Sequence, residues 1–436
     1  ALVSTGSQAI TREQSPYAAV GQLARVLVLV ENYYVEPVDR EKALQGAIKG
    51  MVAELDPHSS YLPPEDFKLF QSETEGSFGG IGVEVDARSD AITVIAPIEG
   101  APADRAGIRS GDRIIAVDGR PIQGQPLERI VRLMRGVPGS QVRLMIRRPG
   151  VENPHELTIV REQIHLNSVA SRRLDGDIAY LRIKQFQQGS HEEFMRAIAQ
   201  VRQKETRPLA GVVLDLRSNP GGLVDEATSI ADELLDRGTI YTTRHRGQIT
   251  EEVSARSGGA LSSLPIVALV NEYSASASEL VAGALQDHKR AVIVGSQTFG
   301  KGSVQSILEL PGGAGMKLTT MLYYTPSGRS IQARGVTPDV AVNGSITTTS
   351  AIPVFRERDM EGHISQESAA VQDGGVEAGA QSSSDAGIGA DAATGVSTTA
   401  LEPSRDVRSD PTTGKDLVLS IGYQLVRGVL NSASKR

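Results

Sequence analysis

A chain of 436 residues is too long for one ordinary core and predicts two or three domains. Its composition, 39% hydrophobic and 22% charged, is that of a globular protein, and a net charge of −7 without any dense Lys/Arg cluster excludes a nucleic-acid-binding face. There are no cysteines, which excludes disulfides, thiol catalysis and Cys-ligated metals, and no stretch reaches the roughly 18 apolar residues of a membrane helix.

Residues 1–16 are polar. Leu23, Val26, Leu27 and Val30, then Leu44, Ile48, Met51 and Val52, recur at helical spacing and predict two helices interrupted at Pro37. Asp56–Pro64 reads as a rigid connector. From Gly79 to Glu162 short β-rich runs alternate with Gly/Pro turns: Ile81–Val85, Ile92–Ile95, Arg113–Val117, Gln141–Ile146 and Glu156–Val160. One helix, Pro126–Met134, sits among them. Beyond Ile178 the texture alternates strand and helix. Gly211–Leu216, Ile266–Val270 and Ala291–Val294 are apolar runs of the kind buried in a mostly parallel sheet, with helices at Glu192–Gln203, Val224–Asp236 and Ala275–Gln286. Residues 358–412 are rich in Gly, Ser, Ala, Asp and Thr and predict a disordered linker. The tail from 413 to 436 regains helical spacing at Leu417, Ile421, Leu425 and Val429. It either forms an oligomer contact or docks back on its own domain.

Three segments carry candidate chemistry. Asn271–Glu279 follows the Ile266–Val270 strand directly, so a small-residue turn carries Ser276 to a helix N-terminus, where developing negative charge is favoured. Taken alone, this serine is more simply a helix cap. Gly295–Gln305 sets Lys301 among glycines beside a buried strand. Desolvation by about three pKa units, about 4 kcal/mol, leaves such a lysine largely neutral and able to accept a serine proton. In isolation it is more commonly a solvated turn residue. Leu214–Gly222 ends a strand in a glycine pair whose backbone N–H groups can converge as an oxyanion hole requires; the plainer reading is an ordinary Gly-rich turn, while a phosphate nest lacks the P-loop spacing.

In combination, these segments resemble the carboxyl-terminal processing peptidases, the tail-specific proteases of the S41 class. Tyr323–Gln332, Gly335–Val340 and Asp56–Pro64 are similar to the same family, so the resemblance spans roughly residues 20–342. It implies a crotonase/ClpP-like α/β core with an inserted PDZ domain and terminal helices. It also implies Ser276 as nucleophile and Lys301, twenty-five residues on, as general base. Gln305 would orient the lysine amine, and the N–H groups of Gly222 and Ala277 would form the oxyanion hole. No cofactor or metal is implied. The remaining histidines show no metal-site spacing, and His288, twelve residues after Ser276, falls near the far end of the following helix.

The 79–162 unit resembles a PDZ domain. Gly79, Gly80, Ile81, Gly82 and Val83 match its carboxylate-binding loop, which offers backbone N–H groups to a terminal carboxylate while the tail adds as a strand. Arg135, after the helix, is by analogy a contact that couples PDZ docking to Gln305. The expected division is a helical region at 1–73, the PDZ domain at 74–162, the protease core at 163–357, the linker at 358–412 and the terminal helix at 413–436.

Two rivals differ in class. A PDZ scaffold with a silent core would carry a lesion at Ser276, Lys301 or the Gly-Gly pair, and none is present. A crotonase-like acyl-CoA enzyme does not predict the PDZ insertion. The resemblance further implies substrates with apolar C-terminal tails, cell-wall-related targets, a periplasmic location after signal-peptide removal, a tetratricopeptide-repeat lipoprotein adaptor and a homo-oligomer.

Overall fold

The computed structural model describes residues 17–88, 91–203, 207–342, 355–365 and 410–433. Helices α1 (Tyr17–Tyr33) and α2 (Arg40–Ala53) flank the predicted break, with Asp39 capping α2 by accepting from the Lys42 N–H at 3.2 Å. The connector is not free. Its strand β1 (Ser60–Leu62) enters a sheet of the protease core, and helix α3 (Pro64–Thr74) follows.

The chain enters and leaves the next unit through a two-stranded ribbon, β2 (Ser77–Gly80) against β9 (Glu162–His165). Between them lie β3 (Val83–Arg88), β4 (Ala91–Pro97), the short helix α4 (Pro102–Arg105), β5 (Arg113–Val117), β6 (Arg120–Pro121), α5 (Leu127–Met134), β7 (Gln141–Arg147) and β8 (His155–Val160). Alternation in β7 places Val142, Leu144 and Ile146 inside, against Ile130 and Met134 of α5, while Arg143 and Arg147 face out. This unit therefore has a core of its own.

The central sheet runs β10 (Val169–Leu174), β11 (Ile178–Ile183), β12 (Gly211–Asp215), β15 (Ile266–Val270), β16 (Ala291–Gly295) and β19 (Val340–Ala341), all parallel except β10. Every residue of β12 and β15 is buried because helices cover both faces, which is why these strands read as unbroken apolar runs. One face packs on α6 (Ser190–Gln203), α7 (Val224–Leu234) and α8 (Ala277–Asp287) through Val212, Leu214, Ala268 and Ile293. The other face presents Tyr180, Val213, Val267, Leu269 and Val294. A second sheet holds β1, β13 (Gly238–His245), β14 (Gln248–Ala255), β17 (Ser303–Glu309) and β18 (Gly315–Tyr324).

The terminal helix α9 (Leu417–Ala433) covers that other face with Leu419, Tyr423 and Val426. Its docking is tight: a Cβ on Gly211 would lie 2.4 Å from Val426 Cγ1, and one on Gly422 would lie 2.7 Å from Leu269 Cδ2. The apolar stripe that suggested an oligomer contact is thus spent on the chain's own sheet. Residues 366–409 of the expected linker lie outside the described residues. At the expected boundary between core and linker, the segment 355–365 returns to the core: Glu357–Asp359 forms a 3-10 turn, and Glu357, the last residue assigned to the core, is fully buried. The sequence reading missed this because an eleven-residue anchor in a polar tract has no periodicity to detect.

Candidate active site

The site forms where three strand ends meet. Strand β15 ends at Val270, and the chain turns through 271–276 into α8. Ser276 closes that turn with φ 55° and ψ −117°, a conformation that L side chains rarely adopt. Such a turn projects a side chain off the sheet edge, as nucleophile-bearing turns do. Ser274 pins the turn, its hydroxyl donating to Leu216 O at 2.8 Å and receiving the Asn271 N–H at 3.0 Å.

The glycine loop after β12 lies directly against this turn. Buried Asn219 accepts from Ala275 N at 3.0 Å and from Ser278 Oγ at 2.9 Å through its carbonyl, and its side-chain oxygen accepts the Gly221 N–H at 2.9 Å. Gly221 has φ 101°, and a Cβ there would lie 2.8 Å from Ser276 Cβ and 3.0 Å from Ala277 N. Gly222 is equally constrained by the Phe186 carbonyl. Ala277 is the first residue of α8, so its N–H has no intrahelical partner.

The lysine loop after β16 is joined to the serine turn by one side chain. Glu279 is fully buried, and its carboxylate accepts from Ser276 N at 2.8 Å, Gly300 N at 2.7 Å and Lys301 N at 2.9 Å, and from the Thr298 hydroxyl. Burial pushes its carboxyl up to about 7, against the pull of those donors. The sequence reading passed over Glu279, although Ser276-x-x-Glu279 at a helix start is a capping-box spacing. Phe299 N adds a bond to Ser274 O at 3.0 Å.

Lys301 itself is brought down to about 8, by burial first and by Lys317 second, with Glu357, Asp56 and Glu279 pulling the other way. Lys317 is also lowered by burial, which Asp56 partly offsets. Burial raises Asp56, but hydrogen bonds from Ser59, His58 and Thr319 outweigh it and hold the carboxyl below its ordinary value. The connector therefore supplies a carboxylate that faces both lysines.

The other expected site residues divide. No hydrogen bond joins Ser276 Oγ to Lys301 Nζ. Gln305 Nε2 donates to Ser303 Oγ at 2.8 Å and to Thr319 Oγ1 at 3.4 Å, not to the lysine. His288 caps the far end of α8, about 18 Å along the helix from Ser276 by helical rise, and bonds Thr239 O at 2.7 Å. In the other unit Gly79 and Gly80 belong to β2, and Gly79 O accepts the Gly136 N–H at 3.0 Å. Ile81 is buried in the local core, Gly82 turns at φ 71°, and Val83 opens β3 at the edge of the cluster. The Arg135 guanidinium stacks over the Phe78 ring at 4.6 Å. Among the described residues no group of three or more His, Asp or Glu side chains is placed to hold a metal, and no helix is long and apolar enough to cross a membrane.

Comparison with known proteins places this geometry. Residues 177–342 match the model for peptidase family S41, residues 93–148 match a PDZ domain, and residues 3–66 match the N-terminal domain of the activating protease CtpB. A carboxy-terminal-processing protease of Bartonella bacilliformis is 42% identical over 367 residues, covering 83% of this chain and 84% of that one. The chain belongs to the S41 carboxy-terminal-processing peptidases. It is a serine-type endopeptidase of α/β multidomain architecture with a PDZ domain. A probable CtpA-like serine protease of Staphylococcus aureus is 38% identical over 330 residues, and the match spans 75% of this chain but 65% of that longer relative. The solved structure of a photosystem II D1 C-terminal processing protease aligns with 79% of the chain and 92% of its own, at 31% identity and a TM-score of 0.47.

Proposed function

We propose that this S41 peptidase works through a Ser276–Lys301 dyad on proteins delivered by their C-terminal tails. The observation that carries the reading is Glu279. One buried carboxylate ties the backbone of the strained serine to the backbone of the desolvated lysine, so both segments move as one unit. Ser276 Oγ attacks the scissile carbonyl, Lys301 in its neutral form takes the hydroxyl proton, and the Gly222 and Ala277 N–H groups receive the developing oxyanion. The intermediate collapses, the C–N bond breaks and Lys301 gives the proton to the leaving amine; water then attacks the acyl-enzyme ester as Lys301 takes its proton, and that proton returns to Ser276 Oγ as the ester bond breaks. Catalytic hydrogen bonds commonly tighten only in the substrate complex, so the absent Ser276–Lys301 and Gln305–Lys301 bonds do not count against the dyad.

The PDZ domain supplies the tail preference: backbone N–H groups of the 79–83 segment take the terminal carboxylate, and the space beside α5 takes the last apolar side chain. This reading includes an extracytoplasmic location, cell-wall-related substrates, a helical-repeat lipoprotein adaptor, self-association and a coupling role for Arg135. All of these rest on the family relationship.

The test is cleavage of an unfolded protein ending in apolar residues, with free and amidated C-termini, by wild type, Ser276→Ala, Lys301→Ala and His288→Ala. Cleavage is expected from wild type and His288→Ala only, with the free terminus preferred. Wild-type rates in Lys301→Ala would sink the dyad. Equal rates on amidated and free tails would remove the PDZ domain from recognition.

A further inference from the structure

The Lys301 loop is held from two sides, and the family match at 177–342 covers only one of them. Glu279 grips it from α8. From the opposite side comes a segment that re-enters the core beyond the last strand. Glu357 N donates to Phe299 O at 3.2 Å, just before Gly300. Its carboxylate, fully buried, accepts from Gln332 Nε2 at 2.8 Å, and Gln332 Oε1 in turn accepts the Gly302 N–H at 2.9 Å, just after Lys301. Arg356 Nη1 reaches the Gln297 and Thr298 carbonyls at 2.7 and 2.8 Å. The same Glu357 carboxylate meets His58 Nε2 at 2.7 Å, from the connector that joins the N-terminal helices to the core.

We infer that Arg356 and Glu357 form a positioning clasp on the general-base loop, and that His58 links the N-terminal region to it. The clasp spans the lysine: Phe299 on one side, Gly302 on the other, with 297 and 298 held behind. Without it, the loop keeps Glu279 and backbone bonds such as Phe299 N to Ser274 O and Ala333 N to Gly300 O, but loses the restraints on 297–299 and 302 from the far side, and the lysine segment can pivot about what remains. A loop that pivots misplaces the amine, and small misplacements of a catalytic group cost rate steeply. The clasp also sets the field at the amine. Lys301 is faced by Lys317 from β18, Asp56 from the connector, Glu279 from α8 and Glu357 from the clasp. Of these, Glu357 is the anion that can be neutralised without breaking the bond network outright, because a glutamine keeps one accepting oxygen. No residue of the clasp touches the substrate or the reacting atoms; all act through the loop.

The inference rests on Lys301 being the base, and the experiment separates the two. Full-length Arg356→Ala, Glu357→Gln, His58→Ala, His58→Gln and Lys301→Ala are compared with wild type by kcat and KM between about pH 6 and 10, with thermal melting of each. The expected result for Arg356→Ala is a kcat lower by about tenfold, with KM within about twofold and a melting curve close to wild type. Glu357→Gln moves the acid limb of the profile down by about half a unit, since loss of an anion disfavours the ammonium form. His58→Ala lowers kcat, and His58→Gln, which can still donate to Glu357, restores part of it. Wild-type kcat and an unmoved limb in both Arg356→Ala and Glu357→Gln overturn the clasp while leaving the dyad intact. Should Glu357→Gln fail to fold, the kcat of the partly exposed Arg356→Ala decides alone. Retained activity in Lys301→Ala overturns the base assignment and the clasp with it.

Discussion

On the proposed dyad, the proton affinity of Lys301 sets the pH at which the enzyme works. Lys301 falls from the ordinary 10.5 to about 8. At pH 7 that leaves about a tenth of the molecules with a neutral amine, roughly 300-fold more than an unperturbed lysine would provide. The log of kcat/KM should therefore rise with unit slope below pH 8 and level off above it. The perturbation is Lys317→Met. Lys317 is the like charge that lowers Lys301 after burial, so its removal raises the Lys301 pKa and carries the limb to higher pH, by about half a unit. The assay is initial-rate cleavage of an unfolded protein substrate at substrate concentrations well below KM. A limb near 6.5 that disappears in a histidine variant would refute the reasoning. So would a limb that Lys317→Met leaves in place in a folded protein.

Three further outcomes follow from the same geometry. Lys301→Met removes a group whose folded pKa lies below its unfolded one, so the cost of burying its charge is full below about pH 8 and vanishes above about 10.5; the variant should be inactive yet more stable at pH 7 by up to about 3 kcal/mol in urea unfolding. Gly221→Ala places a Cβ 2.8 Å from both Ala275 O and Ser276 Cβ at a φ of 101°, so it should lower kcat by about a hundredfold or more, through displacement of the oxyanion loop, with the far-ultraviolet spectrum unchanged. Asp416→Ala takes from buried Arg217 a partner held at 2.8 and 2.9 Å, leaving it only Asp215, so unfolding free energy should fall by about 3 kcal/mol or more, and α9 should become accessible to limited proteolysis.

The sequence by itself determined whatever local chemistry dictates. Strands β12 and β15 were legible because a doubly covered strand must be apolar throughout. The serine turn was legible because a strand running into a helix through small residues leaves few other geometries, and the glycine pair because only glycine tolerates the close approach and positive φ beside Ser276. The unit at 79–162 showed itself through short β-rich runs and turn residues, and its PDZ character through the resemblance carried by Gly79–Val83. Tertiary structure alone decided the rest. Ser276 and Lys301 share a carboxylate because α8 and the loop after β16 emerge at one sheet edge, which no spacing encodes. The helix at Leu417–Ala433 carries an apolar stripe in either reading, and only the uncovered sheet face holding Tyr180 and Val267 assigns it to its own domain. Glu357 and His58 stand 299 positions apart, at opposite ends of the core, and each alone reads as an ordinary surface residue. Burial of that pair depends on the path the chain takes back after residue 342, and a contact between remote residues becomes visible only when the fold closes it.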